Sequence, residues 1–222
     1  MNMPSFSTSA ETLLKIYGTY HLTRLQADKN VRELAEGFEK AQMRLREKVD
    51  AFESASLTAM RALAVRDGED AVLDETVRRF YNMVMEKCGN NRKSPLFRRY
   101  FPEGLFPVVS APLEGEIMKV DGILTKLLEE VDADLKDFKG LLESAKKNLK
   151  VAMDAHSSAL ETESSAFGMI QAEKIKWLDV YKLDYRALGH LYYQNPKKAE
   201  TYFKRAPKEK AKKEEPQAPP KV

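Results

Sequence analysis

Residues 34–62 read LAEGFEKAQMRLREKVDAFESASLTAMRA, and their spacing decides the fold. Leu34, Phe38, Ala41, Leu45, Val49, Phe52, Ala55, Ala59 and Ala62 recur at steps of three and four, with charged residues between them. This is the apolar stripe of an amphipathic helix, sustained long enough to make a heptad-like seam. Toward the C-terminus the seam meets two polar misfits, Arg66 and Glu69, beside Gly68. It then resumes in phase at Leu73, Val77, Phe80 and Val84. Unbroken phase predicts one continuous helix. A glycine inside a helix costs about 1 kcal/mol relative to alanine, which a long seam absorbs. Toward the N-terminus, Asn30-x-x-Glu33 has the form of a helix cap, so a break or bend is expected near Asp28. Before it, Thr8-x-x-Glu11 reads as a capping box ahead of Leu13, Leu14, Tyr17, Tyr20 and Leu25.

Cys88-Gly89-Asn90-Asn91 carries helix-stop chemistry and ends this first arm, 9–88. A connection, 89–112, follows with Pro95, Pro102, Pro107 and Pro112, the last expected in the first turn of the next helix. The second arm, 113–194, carries Ile117, Val120, Leu124, Leu127, Val131, Leu135, Phe138, Leu142 and Leu149 at helical spacing, passes His156, and continues to Trp177, Tyr181 and Tyr185. Gln194-Asn195-Pro196 stops it, and a short cap spans 196–204. The predicted fold is all-α: an antiparallel long-helix hairpin, four-helix-bundle-like, forming a single helical domain over 1–204. Residues 205–222 are Lys, Glu, Pro and Ala without apolar anchors, a composition expected to be disordered.

A reversal midway between Cys88 and Leu113 places Ala59 opposite Leu142, Arg66 near Asp134, and Tyr17 and Tyr20 against Tyr181 and Tyr185. Met43, Leu57, Met60 and Leu63 on one arm, with Met153 and Leu160 on the other, widen the apolar stripe. Two helices alone do not cover so wide a stripe. Either the arms bend at Gly68 and near Gly140 or Ser157 into a compact bundle, or two hairpins dimerise.

Composition narrows the function. Of 222 residues, 43% are hydrophobic and 32% charged, and the net charge is +3. From Lys204 onward lie seven basic and three acidic residues, which leaves 30 basic and 31 acidic in the body. A globally basic nucleic-acid binder is not indicated. Cys88 is the only cysteine, which fits a reducing compartment. The first ten residues are polar and lack an apolar signal core, and no apolar run approaches the roughly 20 residues of a membrane span. The expectation is a soluble cytoplasmic protein.

The polar residues carry no catalytic signature. His21, His156 and His190 have no Glu three residues before them, which excludes the Glu-x-x-His pattern of di-iron bundles. Neither a His-Glu-x-x-His zinc motif nor a phosphate loop occurs. His156 falls on the seam and reads as a core histidine satisfied by a neighbour, while His21 and His190 lie at one predicted end and could meet. Glu129, Glu130, Asp132 and Asp134 read as a solvated helix face, and the late aromatic run as core. The expectation is a non-enzymatic interaction or scaffold protein with no cofactor and no metal. Its partner would be an unidentified protein, or a second copy in a homodimer.

One cluster stands apart. Arg78, Arg79, Lys87, Arg92, Lys93, Arg98 and Arg99 face only Glu86 between positions 78 and 99, with Phe97, Tyr100, Phe101 and Phe106 among or after them. Arg92, Lys93, Arg98, Arg99 and Tyr100 are the candidate partner-binding residues, with Tyr100 expected to face the partner and Phe97 and Phe101 to plug the hairpin. Neutralisation by Glu114, Glu116 and Asp121 on the neighbouring arm is the plainer reading. Binding of nucleic acid or an anionic membrane through residues 78–101 and the basic tail is the alternative function.

The stretch Ser94-Pro95-Leu96-Phe97-Arg98-Arg99-Tyr100-Phe101-Pro102-Glu103-Gly104, with the closing Trp177 to Tyr185 run and Tyr202-Phe203, resembles uncharacterised bacterial long-helix proteins. The resemblance implies a helical fold and carries no activity. Leu105-Phe106-Pro107-Val108-Val109 between two long arms is more loosely similar to the apolar head of long-helix pore-forming toxins, although it is shorter and proline-interrupted.

Overall fold

The computed structural model describes residues 3–205, and the tail from residue 206 onward lies outside them. In chain order the elements are α1 (Ala10–Thr12), a π-helical segment (Leu13–Gly18), α2 (Thr19–Gln26), a 3-10 turn (Lys29–Val31), α3 (Arg32–Lys87), α4 (Pro95–Tyr100), α5 (Phe106–Val109), α6 (Leu113–Leu127), α7 (Ala133–Leu191) and α8 (Pro196–Glu200). The protein is all-α, with two antiparallel long helices, α3 and α7, and no strand among the described residues. The chain divides into two compact units, one formed by residues up to 53 and from 165 onward, the other by residues 54–164. Both long helices contribute to both units.

In the first unit, α1, the π-helical segment and α2 form a rod that packs on residues 32–53 of α3 and 165–191 of α7. Ser9, not Thr8, is its N-cap: the Ser9 hydroxyl accepts the Thr12 N–H at 3.1 Å. The rod ends where expected, at Asp28, whose carboxylate accepts the Asn30 N–H at 3.0 Å. The π-helical turn has a local cause. The Gln42 amide reaches in from α3 and donates to the Leu14 carbonyl at 2.8 Å, while its own carbonyl accepts the Trp177 indole N–H at 2.7 Å. Gly18 is buried because the Gln42 amide occupies the space where a Cβ would lie. Leu13, Leu25, Phe38, Leu45, Trp177, Tyr181 and Leu188 form the core.

His21 is fully buried there. Its Nδ1 lies 2.9 Å from the Tyr202 carbonyl and its Nε2 3.0 Å from the Asp184 carboxylate. The Tyr202 carbonyl and the Asp184 carboxylate are both acceptors, so the ring is held at both of its nitrogens. His190 is exposed and does not meet it. Tyr192 and Tyr202 both donate to Asp28, at 2.9 and 2.5 Å, which ties the chain after α7 to the turn before α3. These bonds hold the Asp28 carboxyl far below the usual carboxylate range.

In the second unit, residues 54–87 of α3 pair with 133–164 of α7, and α6 packs beside them. The register differs from the sequence expectation. Arg66 meets His156, its Nη1 3.3 Å from Nδ1, and Asp134 pairs with Lys87 at 2.5 Å. The cause is a second break. Residues 113–194 are not one arm, because α6 ends at Leu127 and α7 starts at Ala133. The Glu130 side chain folds back to accept the Val131 and Asp132 N–H groups, and Asp132 caps α7 by accepting the N–H groups of Asp134 and Leu135. The acidic run is therefore a capped turn and not a solvated helix face. Val131, placed on the seam by its spacing, sits in that turn 94% exposed. α3 runs unbroken through Gly68, and α7 through Gly140 and Ser157, so neither long helix breaks at the expected bend points.

The core of this unit gathers Leu73, Val77, Phe80, Val84, Leu127, Leu135, Leu142 and Leu149. Farther along, Ala55 and Ala59 of α3 and Ala152 and Ala159 of α7 are buried, while Leu57, Met60 and Leu160 are exposed.

Candidate partner-binding apex

The turn after α3 follows from Gly89 and Asn90, which sit side by side in the left-handed region, with φ of 57° and 61°. Gly89 N–H donates to the Glu86 carbonyl and Asn90 N–H to that of Met85, which satisfies the end of the helix. Pro95 opens α4, whose single buried face carries Phe97 and Tyr100. With Phe101 they close an aromatic cluster. Phe80 lies edge-on to Tyr100 at 5.1 Å, and Tyr81 contacts Phe97 at 5.7 Å and Phe101 at 5.1 Å. Phe97 and Phe101 are the plug their spacing suggested.

Tyr100 is not a partner-facing residue. It is 2% exposed, and its hydroxyl donates to Glu130 Oε2 at 2.5 Å. Burial and the Glu130 carboxylate push its phenol well above the usual range. Arg99 is also turned inward. It donates to the Lys126 carbonyl at 3.0 Å and lies 3.6 and 3.9 Å from Glu129 and Glu130. Lys87 pairs with Asp132 at 3.0 Å as well as with Asp134, and both raise its ammonium above the usual range. The neutralising acids are thus those of the 128–132 break and the start of α7. Glu114 and Glu116 enter no ion pair among the described residues, and Asp121 pairs with Lys146 of α7.

Arg92, Lys93 and Arg98 are exposed and enter no ion pair among the described residues. Arg78 reaches only Asp74, at 3.5 Å. Arg78 and Arg92 flank a groove of about 520 Å³ whose apolar wall is Tyr81, Leu105, Phe106 and Val109. Phe106 is 76% exposed on the one-turn helix α5. Its place in the apolar run Leu105–Val109 was visible in the sequence, but its exposure depends on Val108 taking the buried position of that turn. Pro112, expected inside the first turn of α6, is instead its N-cap.

No protein-family model, curated protein or solved structure matches this chain, so the reading of the apex rests on its own geometry.

A second feature of this unit was not anticipated. Glu116 on α6 is 2% exposed and lies against Asp70 and Asp74 of α3. Glu116 Oε1, Asp70 Oδ1 and Asp74 Oδ1 are each buried without a hydrogen-bond partner. Burial, then the charges of Asp74 and Asp70, push the Glu116 carboxyl up to about 8, so it is largely protonated at neutral pH. Among the described residues, no group of His, Cys, Asp or Glu is disposed to ligate a metal ion, and no helix is long and apolar enough to cross a membrane.

Proposed function

We propose that this chain is a non-enzymatic helical interaction protein whose apex groove takes an acidic, amphipathic segment of a partner protein. The observation that carries the reading is Phe106. A large apolar ring held three-quarters exposed, continuous with Tyr81, Leu105 and Val109 and flanked by two arginines against the single acid Glu103, makes an apolar anchor site with a net basic rim. Isolated exposed apolar residues are ordinary, whereas a contiguous rimmed patch is the usual form of a docking site. Arginine beside aromatic surface is also the composition enriched where binding energy concentrates. Arg92, Lys93 and Arg98 would steer an acidic segment toward the groove without forming its floor.

Affinity capture with the full chain tests this, comparing the wild type with Phe106→Ala and with the double variant Arg78→Gln, Arg92→Gln. A protein retained by the wild type and lost from both variants, with the helical circular-dichroism signal unchanged, supports the reading. Retention by both variants overturns it. Binding to nucleic acid or anionic vesicles that is steeply salt-dependent and indifferent to Phe106→Ala would favour a polyanion surface instead.

A further inference from the structure

On the other side of the 101–108 loop, between it and α6, lies a hollow of about 220 Å³. Its floor is apolar: Phe101, Val108 and Ile123 are 0%, 7% and 2% exposed. Its α6 wall is the stripe Lys119, Gly122, Ile123 and Lys126, successive positions on one helix face. Gly122 in the middle of that stripe leaves the wall without a side chain at that point. Glycine in a helix interior is disfavoured against alanine, and here packing does not require it, because a Cβ built at Gly122 meets nothing within 4 Å. The side-chain space at the centre of the stripe is left open in the protein itself.

The rim carries three charges. The Lys119 ammonium donates to the Pro107 carbonyl. Lys126 has no ion-pair partner among the described residues, although its backbone carbonyl is taken by Arg99. Glu103 is the one acid of the lining.

We infer that this hollow binds a small monocarboxylate with a short apolar tail, its carboxylate on the Lys126 ammonium and its tail passing over Gly122 onto Ile123, Val108 and Phe101. The volume corresponds to roughly seven waters, at about 30 Å³ each, which suits a chain of several carbons and excludes a long lipid. An apolar floor with few polar groups at the mouth is the common build of a small-ligand site. Glu103 sets the ligand's charge, since a phosphate-like dianion would meet its carboxylate at the rim, whereas a single negative charge is matched by the lysines. The site shares only Glu103 and Gly104 with the Phe106 groove and does not depend on that groove having a partner.

Octanoate is the probe, with octan-1-ol as its neutral counterpart, each titrated into the full-length protein while the methyl resonances of Ile123 and Val108 are followed. Saturable shifts with octanoate in the millimolar range or tighter are expected. Octan-1-ol and the Lys126→Gln variant should each bind about tenfold more weakly, since each removes one charge-assisted contact. Gly122→Leu fills the hollow from its own wall and should abolish binding while the Tm holds or rises. Absence of saturable shifts overturns the site. Equal binding of octanoate and octan-1-ol, or octanoate binding unchanged in Lys126→Gln, overturns the assignment of an anion. Octanoate binding unchanged in Gly122→Leu places the ligand elsewhere and overturns the location. Lys126→Gln, at a partly exposed side chain with no ion-pair partner, keeps the test decisive should Gly122→Leu fold poorly.

Discussion

Replacing Glu116 with Gln should stabilise the protein at pH 8.5 and leave it nearly unchanged at pH 5. The native state holds this carboxyl at about 8, against 4.5 as its ordinary value. Between those limits the native state binds more protons at this position than the unfolded chain does, so stability falls as pH rises. The stabilisation is fully present below about 4.5, is lost through about 8, and changes no further above that. The groups around it leave the loss uncompensated. On α3, Asp70 and Asp74 add negative charge, and Arg78 reaches Asp74 only at 3.5 Å. On α7, Lys146 is committed to Asp121. At about 1.36 kcal/mol per pH unit the whole span would amount to nearly 5 kcal/mol. Asp70 and Asp74 are partly exposed, so solvent screens part of their repulsion, and about 2 kcal/mol is the expected effect at pH 8.5. Glutamine keeps the shape, cannot ionise, and carries an N–H donor beside the two aspartates. Urea unfolding of both proteins at pH 5, 7 and 8.5 measures the gap, which should open steadily with pH. A variant no more stable than wild type at pH 8.5, or a gap independent of pH, would refute the reasoning.

Three further substitutions test the packing. Gly18→Ala puts a Cβ 2.3 Å from the Gln42 amide. That amide is held at both ends, so the change should strand the buried Trp177 N–H and cost about 2–3 kcal/mol in urea unfolding, with a shift in tryptophan fluorescence. Gly68→Ala lies on an open stretch of α3 where a Cβ meets nothing within 4 Å, and should stabilise by about 0.5–1 kcal/mol, seen as a raised Tm. Phe101→Ala empties a fully buried ring site and should destabilise by about 3–5 kcal/mol by the same urea assay.

The sequence alone determined the helical class, because three- and four-residue apolar spacing is a local property that the backbone period converts directly into a buried stripe. Leu34 to Val84 could be read as one helix through Gly68 for that reason, and the stop at Gly89–Asn90 because left-handed backbone favours those two residues. The break near Asp28 was legible for the same kind of reason, as cap chemistry. The turn after Leu127 was not. It contains neither glycine nor proline and forms because Glu130 and Asp132 spend their carboxylates on backbone N–H groups, an outcome indistinguishable in sequence from a solvated acidic face. That turn detaches α6 from α7, so it is α7 that runs against Arg66, and the residue beside Arg66 is His156 and not Asp134.

The candidate site divides in the same way. Clustering of Arg92, Lys93, Arg98, Arg99 and Tyr100 is a fact of composition, but which of them remain available is a fact of pairing. Arg99 and Tyr100 turn inward because Glu130, distant by 30 positions from Tyr100, arrives beside them, and Phe106 stays outside because Val108 takes the buried position of α5. Local periodicity needs only the chain's own geometry. The use made of each charge and aromatic ring depends on which distant residue comes within a few ångströms, and only the tertiary structure decides that.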